Sequence, residues 1–308
     1  MSYTFFGENC VLTPGRLGLM TDESLLELGE LVLAMDRRAL TATAGESGEI
    51  PDIVEFTRQR LGFDPNPLQA SVLRGGRRGI VNCTRQWGKS TVAAAKAVHR
   101  AFCQPDSLIL VLSPSGRQSG EVMRKAEEFV SRMGIKVRGD GTNEISIAFP
   151  NRSRIVGLPH KETTSRGFSK VSLMLIDEAS QVEDKLYRAM RPTLAVGNGD
   201  LWLMSTPNGK RGFFHTEWTE GGEQWQRISA TAEECPWIDP EFLDDERKNM
   251  TDALFRQEYM CEFGDGAVYQ YFGVPVQSYQ ELLRAASHGA YFNRHIRSLF
   301  RYVLLPPV

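Results

Sequence analysis

At 308 residues and 34.6 kDa the chain has room for one large domain, or for one domain with a smaller appendage. Its 41% hydrophobic and 24% charged residues exclude wholesale disorder. No apolar run approaches the ~20 residues that span a bilayer, and the start lacks a basic-then-apolar leader, so a membrane or secreted protein is not expected. Five scattered cysteines without a CxxC pair argue against a disulfide framework or thiolate zinc site and for a reducing cytoplasm. The net charge of −2 argues against non-specific coating of nucleic acid. Within it, nine lysines stand against 27 arginines, a bias that suits phosphate binding and equally suits a GC-rich genome.

Apolar spacing over residues 22–40 predicts an amphipathic helix, and the small, polar stretch 41–52 reads as a linker. From Arg78 onward the pattern changes. Short apolar runs at 79–83, 107–113, 171–176 and 201–205 alternate with helical stretches at 89–103 and 117–133. Strands with near-continuous apolar cores, separated by helices, predict an α/β fold with a mostly parallel sheet covered on both faces. Residues 144–158 alternate around Pro150-Asn151 and predict a β-hairpin beside that sheet. Asp239 followed by Pro240, and then Thr251, mark the starts of two short helices. The expected organisation is an N-terminal helical segment and linker (1–60), a core (61–232), a small helical linker or lid subdomain (233–272) and a tail (273–308). The tail sets Arg284, Arg294, Arg297 and Arg301 against Glu281 and carries no motif.

The most informative segment is CTRQWGKST at 83–91, which follows an apolar strand and opens an alanine-rich helix. That is the context of a phosphate-binding P-loop, in which backbone N–H groups and the positive helix end surround phosphates. Gly88 lets the backbone approach, Lys89 reaches the phosphates and the Ser90 hydroxyl can ligate Mg²⁺. Cys83 stands where the leading glycine of the usual pattern would be, and an incidental surface loop is the alternative. At 173–180, LMLIDEAS ends an apolar strand in Asp177 and Glu178, which alternation sends in different directions. In a P-loop protein the first holds Mg²⁺ and the second orients and deprotonates water. The plainer alternative is a helix start stabilised by two carboxylates. Ser205-Thr206-Pro207 ends another strand, where small polar groups can sense a γ-phosphate, and a Pro-Asn-Gly turn follows.

Together with FDPNPLQ (63–69), LSPSGRQSGE (112–121), TTSRGFSKVSLMLIDEAS (163–180), STPNGKRGFF (205–214) and FRQEYMCEF (255–263), these segments resemble one family in order and content. That family is the large subunit of tailed-bacteriophage DNA-packaging terminases, over roughly residues 60–265. Terminase P-loops often lack the leading glycine and carry an arginine where Arg85 stands. The resemblance implies a P-loop ATPase that hydrolyses ATP to drive double-stranded DNA into a procapsid. It places Gln69 in the adenine-recognition segment and Arg85, Gln86, Gly88, Lys89, Ser90 and Thr91 around the phosphates. Ser90 and Asp177 would hold Mg²⁺, Glu178 the catalytic water, and Ser205, Thr206 and Pro207 would form the coupling motif. Arg166 matches an arginine that reaches a neighbouring subunit's γ-phosphate, with a structural ion pair as the alternative. The implied partners are duplex DNA, a portal protein and a small terminase subunit, around a homo-oligomeric ring in the host cytoplasm, without a membrane.

The family also carries an acidic, two-metal nuclease domain. Here the 36 residues after Phe272 contain one acid, so nuclease activity is expected to be absent, with frame loss one explanation of the tail. Two alternatives remain: a helicase-like translocase, whose second lobe ~100 residues cannot build, and a decayed prophage remnant that binds nucleotide without packaging.

Overall fold

A computed structural model describes residues 50–159, 167–264, 268–285 and 291–305. The helix expected at 22–40 and Arg166 lie outside the described residues. The first described helix, α1 (Ile53–Leu61), starts where the linker was expected to end. The Asp52 side chain caps it by accepting from the N–H groups of Val54 and Glu55. Asp52 also receives a bidentate pair from Arg74 at the end of α2 (Pro67–Arg74), and that hydrogen bonding holds its carboxyl down at about 2. Although α1 precedes the boundary expected at residue 61, Val54, Phe56 and Leu61 are buried in the same core as the helices that follow.

Seven strands form the main sheet: β1 (Arg78–Cys83), β2 (Leu108–Ser113), β3 (Ser146–Ala148), β4 (Arg154–Pro159), β5 (Val171–Asp177), β6 (Asp200–Ser205) and β7 (Gln226–Ala230). Their order is β3-β4-β2-β5-β6-β1-β7, parallel throughout except for the antiparallel β3–β4 pair. The expected hairpin is thus this edge pair, with β4 also extending the parallel sheet beside β2. β7 has no counterpart in the sequence reading. As a five-residue edge strand in which only Ile228 and Ala230 are buried, it lacks the apolar run that reveals a central strand.

One face is covered by α1, α2, α3 (Lys89–Cys103) and α4 (Gly116–Arg132), around Val81, Ile109, Leu175 and Trp202. The opposite face carries α5 (Asp184–Met190) and α6 (Gly212–Glu220), with Phe213 and Phe214 packed over Leu110, Met174 and Leu203. Burial on both faces is why the central strands read as unbroken apolar runs. Beyond β7, α7 (Pro240–Asn249) is capped by Asp239 and α8 (Asp252–Glu258) by Thr251, as those residues suggested. The stretch expected to be a tail carries α9 (Val276–Arg284) and β9 (Tyr302–Leu305), and β9 pairs antiparallel with β8 (Val268–Tyr271), which lies in the subdomain expected to be helical. Among the described residues no helix is long and apolar enough to cross a membrane.

Candidate nucleotide site

The carboxyl ends of β1, β5 and β6 meet at one end of the sheet, and a cleft of about 850 Å³ opens there. Ligands of open α/β sheets bind at such strand ends, where the loops diverge. β1 leads into the loop 84–88, which turns through left-handed backbone at Gln86 (φ 66°) and Gly88 (φ 99°) before α3 begins. Gly88 is required twice over: its φ favours glycine, and a Cβ would stand 3.0 Å from the Gln69 amide nitrogen. Arg85, Gln86, Gly88, Lys89, Ser90 and Thr91 all line the cleft, with α3 directing its amino end toward it.

Gln69 does not line it. Its amide donates to the Trp87 carbonyl (2.8 Å) and accepts from the Asn66 N–H (3.0 Å) in a capping box at the start of α2. Gln69 thus braces the loop through the Trp87 carbonyl. Cys83, at the leading loop position, is wholly buried, and burial pushes its thiol up to about 12.

Lys89 is buried, with its ammonium 3.3 Å from a Glu178 carboxylate oxygen and 3.4 Å from the Thr206 hydroxyl. Burial works against that charge, but the neighbouring Cys83, Glu178 and Asp177 together outweigh it and hold the lysine above its ordinary pKa. Asp177 faces the Ser90 hydroxyl at 3.5 Å, and its Oδ1 is buried without a hydrogen-bond partner. Burial first, and the Glu178 charge second, push its carboxyl up to about 6. An orphaned carboxylate oxygen beside a serine hydroxyl is the donor set that suits a hard cation and its water shell. Glu178 takes left-handed backbone (φ 49°, ψ 46°), which turns its carboxylate toward Lys89 and away from the path a continuing strand would give it. The Ser180 N–H donates to the Ser205 hydroxyl (3.1 Å) and the Ser180 hydroxyl to the Thr206 carbonyl (2.8 Å), tying the end of β6 to the turn after β5. Pro207 completes that side of the cleft.

Four residues that the sequence reading left without a role belong to the site. Glu258, at the end of α8, accepts from Arg85 (2.7 Å), and its backbone carbonyl accepts from the Thr84 hydroxyl (2.8 Å). Gln257 lines the cleft beside it. Lys125 enters from α4, and the Trp237 indole N–H donates to the Gln86 carbonyl (2.9 Å). Glu258 falls inside FRQEYMCEF, so a signal for it existed. Trp237 meets its partner across 151 positions and shows none locally.

Residues 257–302 match the family model described as the KTSC domain. The match crosses the boundary expected after residue 272. The terminase large subunit of Thermus virus P23-45 is 25% identical over 239 residues, covering 66% of this chain and 49% of that protein. The chain thus spans about half the length of the curated relatives it matches. Among solved structures, the large terminase ATPase domain of Thermus phage P74-26 superposes with a TM-score of 0.59 at 23% identity, covering 67% of this chain and 96% of that one. The large terminase of a thermophilic bacteriophage, in complex with ATP-gamma-S, gives 0.54 at 12% identity, over 65% of this chain and 53% of that one. Over about two thirds of its length, then, this chain is similar to phage terminase large subunits, and its fold is that of their ATPase domains.

Proposed function

We propose that this chain is the ATPase motor of a phage terminase, hydrolysing ATP to drive double-stranded DNA into a procapsid. The observation that carries the reading is the convergence of Lys89, Ser90, Glu178 and Thr206 in one cleft at the strand ends, with buried Asp177 against the Ser90 hydroxyl. Chains of similar fold that are named large terminases support the choice of substrate, and one of them holds an ATP analogue.

In this reading Arg85, Gln86, Gly88, Lys89 and Thr91 surround the phosphates, and Lys89 exchanges the Glu178 carboxylate for phosphate oxygens. Ser90 and Asp177 would hold Mg²⁺, which supplies charge neutralisation at the β- and γ-phosphates when bound. Glu178, released from Lys89, orients the attacking water and accepts its proton. Loss of the γ-phosphate reaches the chain through Thr206 and the Ser205–Pro207 segment. Gln69 positions the loop. Arg166 acts on the γ-phosphate of a neighbouring subunit, in a ring that engages DNA, a portal protein and a small terminase subunit. Residues 273–308 hold a single acid, so plasmid incubated with this chain and Mn²⁺ or Mg²⁺ should remain uncut.

The test separates ground state from transition state. Lys89→Ala should weaken ATP binding at least about tenfold, since it removes a contact to ground-state phosphates. Glu178→Gln should keep binding within a few-fold and lower turnover by roughly 10²–10⁴. Titration calorimetry and phosphate release read the two effects. Wild-type affinity in Lys89→Ala would sink the assignment.

A further inference from the structure

We propose that Trp237 is a positioning residue for the phosphate loop, holding Gln86 in the backbone conformation that phosphate binding requires; this rests on the nucleotide reading above. Gln86 stands at φ 66°, in a left-handed region that few residues other than glycine enter. Gly88, two residues on, takes such backbone without steric cost, but Gln86 must be held there. Two side chains supply the hold, and both act on carbonyls. The Trp237 indole N–H donates to the Gln86 carbonyl (2.9 Å), and the Gln69 amide donates to the Trp87 carbonyl (2.8 Å). In a trans peptide the C=O and the following N–H point in opposite directions, so the N–H groups of Trp87 and Gly88 are directed away from Trp237 and Gln69. Neither of those two side chains lines the cleft, whereas Arg85, Gln86, Gly88 and Lys89 do. Fixing successive peptide planes fixes where their N–H groups aim, and aimed N–H groups are what such a loop offers to phosphate.

Trp237 is itself firmly carried. The chain leaving β7 makes a capping box between Thr231 and Glu234, and Cys235, which follows it, is buried. The Ile238 N–H donates to the Cys235 carbonyl (2.9 Å), and Ile238 packs against the core. Trp237 lies between these two anchors. The same stretch of chain accepts the Thr84 N–H on the Ala230 carbonyl (2.9 Å), so it holds the loop at its first residue and again at Gln86. The Trp237 side chain contributes little to the core, since the residue is 49% exposed. Its one polar atom is spent on Gln86.

The test uses the full chain and Trp237→Phe, which keeps a ring and removes the donor. Without the hold, the loop is competent only while Gln86 is left-handed, and apparent affinity falls by that fraction. ATP and ADP should both bind about three- to tenfold more weakly by calorimetry, the scale of one hydrogen bond. KM for ATP should rise to match while kcat stays within about twofold, because the loop contacts phosphate in ground and transition states alike. Rescue is the sharper readout. Glycine adopts left-handed backbone about as readily as right-handed, so in a Gln86→Gly background adding Trp237→Phe should cost no more than about twofold. Hydrogen exchange of a peptide spanning 84–90, followed without nucleotide, should quicken in Trp237→Phe. Wild-type ATP affinity in Trp237→Phe would overturn the proposal, and so would unchanged exchange or an equal loss in both backgrounds. Were wild type to bind no ATP while exchange still quickened in Trp237→Phe, the nucleotide reading would fall and the hold on Gln86 would stand.

Discussion

Lys96 shows at the residue scale how a buried charge can serve a site it does not touch. Its ammonium donates to the carbonyls of Val72 (3.1 Å) and Leu73 (2.9 Å) and lies 4.4 Å over the Trp202 ring. It thereby caps the end of α2, the helix whose Gln69 braces the phosphate loop. Burial, with the nearby Arg100 charge adding to it, pushes the lysine down to about 7 from its ordinary 10.5. Below that value folded and unfolded chains both carry the proton. Above it and up to the ordinary value, the unfolded chain holds a proton that the folded chain has released, so stability rises with pH. Unfolding free energies from urea titration between about pH 6.5 and 8.5 should therefore climb by up to ~1.4 kcal/mol per pH unit for wild type relative to Lys96→Met. Parallel pH profiles would show that Lys96 keeps its proton. Lys96→Met should also be the less stable protein at the upper end, because the α2 carbonyls lose their donor.

Two contacts at the element scale decide how β1 is held. Trp202, wholly buried on β6, lies flat over β1, and a methyl group on Gly79 would overlap its ring. Gly79→Ala should cost about 1–3 kcal/mol in chemical unfolding, since neither strand can withdraw without breaking the parallel ladder. At the other end of β1, Asn82 donates to the Cys261 carbonyl (2.7 Å), and Thr84 and Arg85 reach Glu258. The phosphate loop is thus fastened to α8 and the segment after it. Arg85 is largely exposed and its pair with Glu258 is worth little by itself, but the guanidinium cannot serve carboxylate and phosphate together. Glu258→Ala should raise ATP affinity a few-fold and Arg85→Ala should lower it, both measured by calorimetry. Equal affinities in the two variants would separate α8 from nucleotide binding.

The ring proposed above would make a demand at the scale of the whole molecule that no single chain can meet. With Arg166 serving a neighbour, mixing Arg166→Ala and Glu178→Gln subunits should restore part of the turnover each lacks alone, because some interfaces pair an intact base with an intact arginine. No recovery in an assembled mixture would return Arg166 to a structural role. What the sequence determined by itself was whatever short-range pattern encodes. Apolar runs marked the central strands because both of their faces are covered, Asp239 and Thr251 marked helix starts because a cap acts over three residues, and CTRQWGKST marked the loop because its chemistry is contiguous. Only the tertiary structure decided the remainder. Edge strand β7 has no run to betray it, and the bond that ties Gln69 to the loop at Trp87 joins residues 18 positions apart. Glu178 reaches Lys89 in the cleft through left-handed backbone that departs from the alternation of a strand, while Asp177 stays buried against Ser90. Glu258 and Trp237 join the loop from far along the chain. These are contacts between residues distant in sequence, and their energies depend on which surfaces the fold brings together, so no local pattern can carry them.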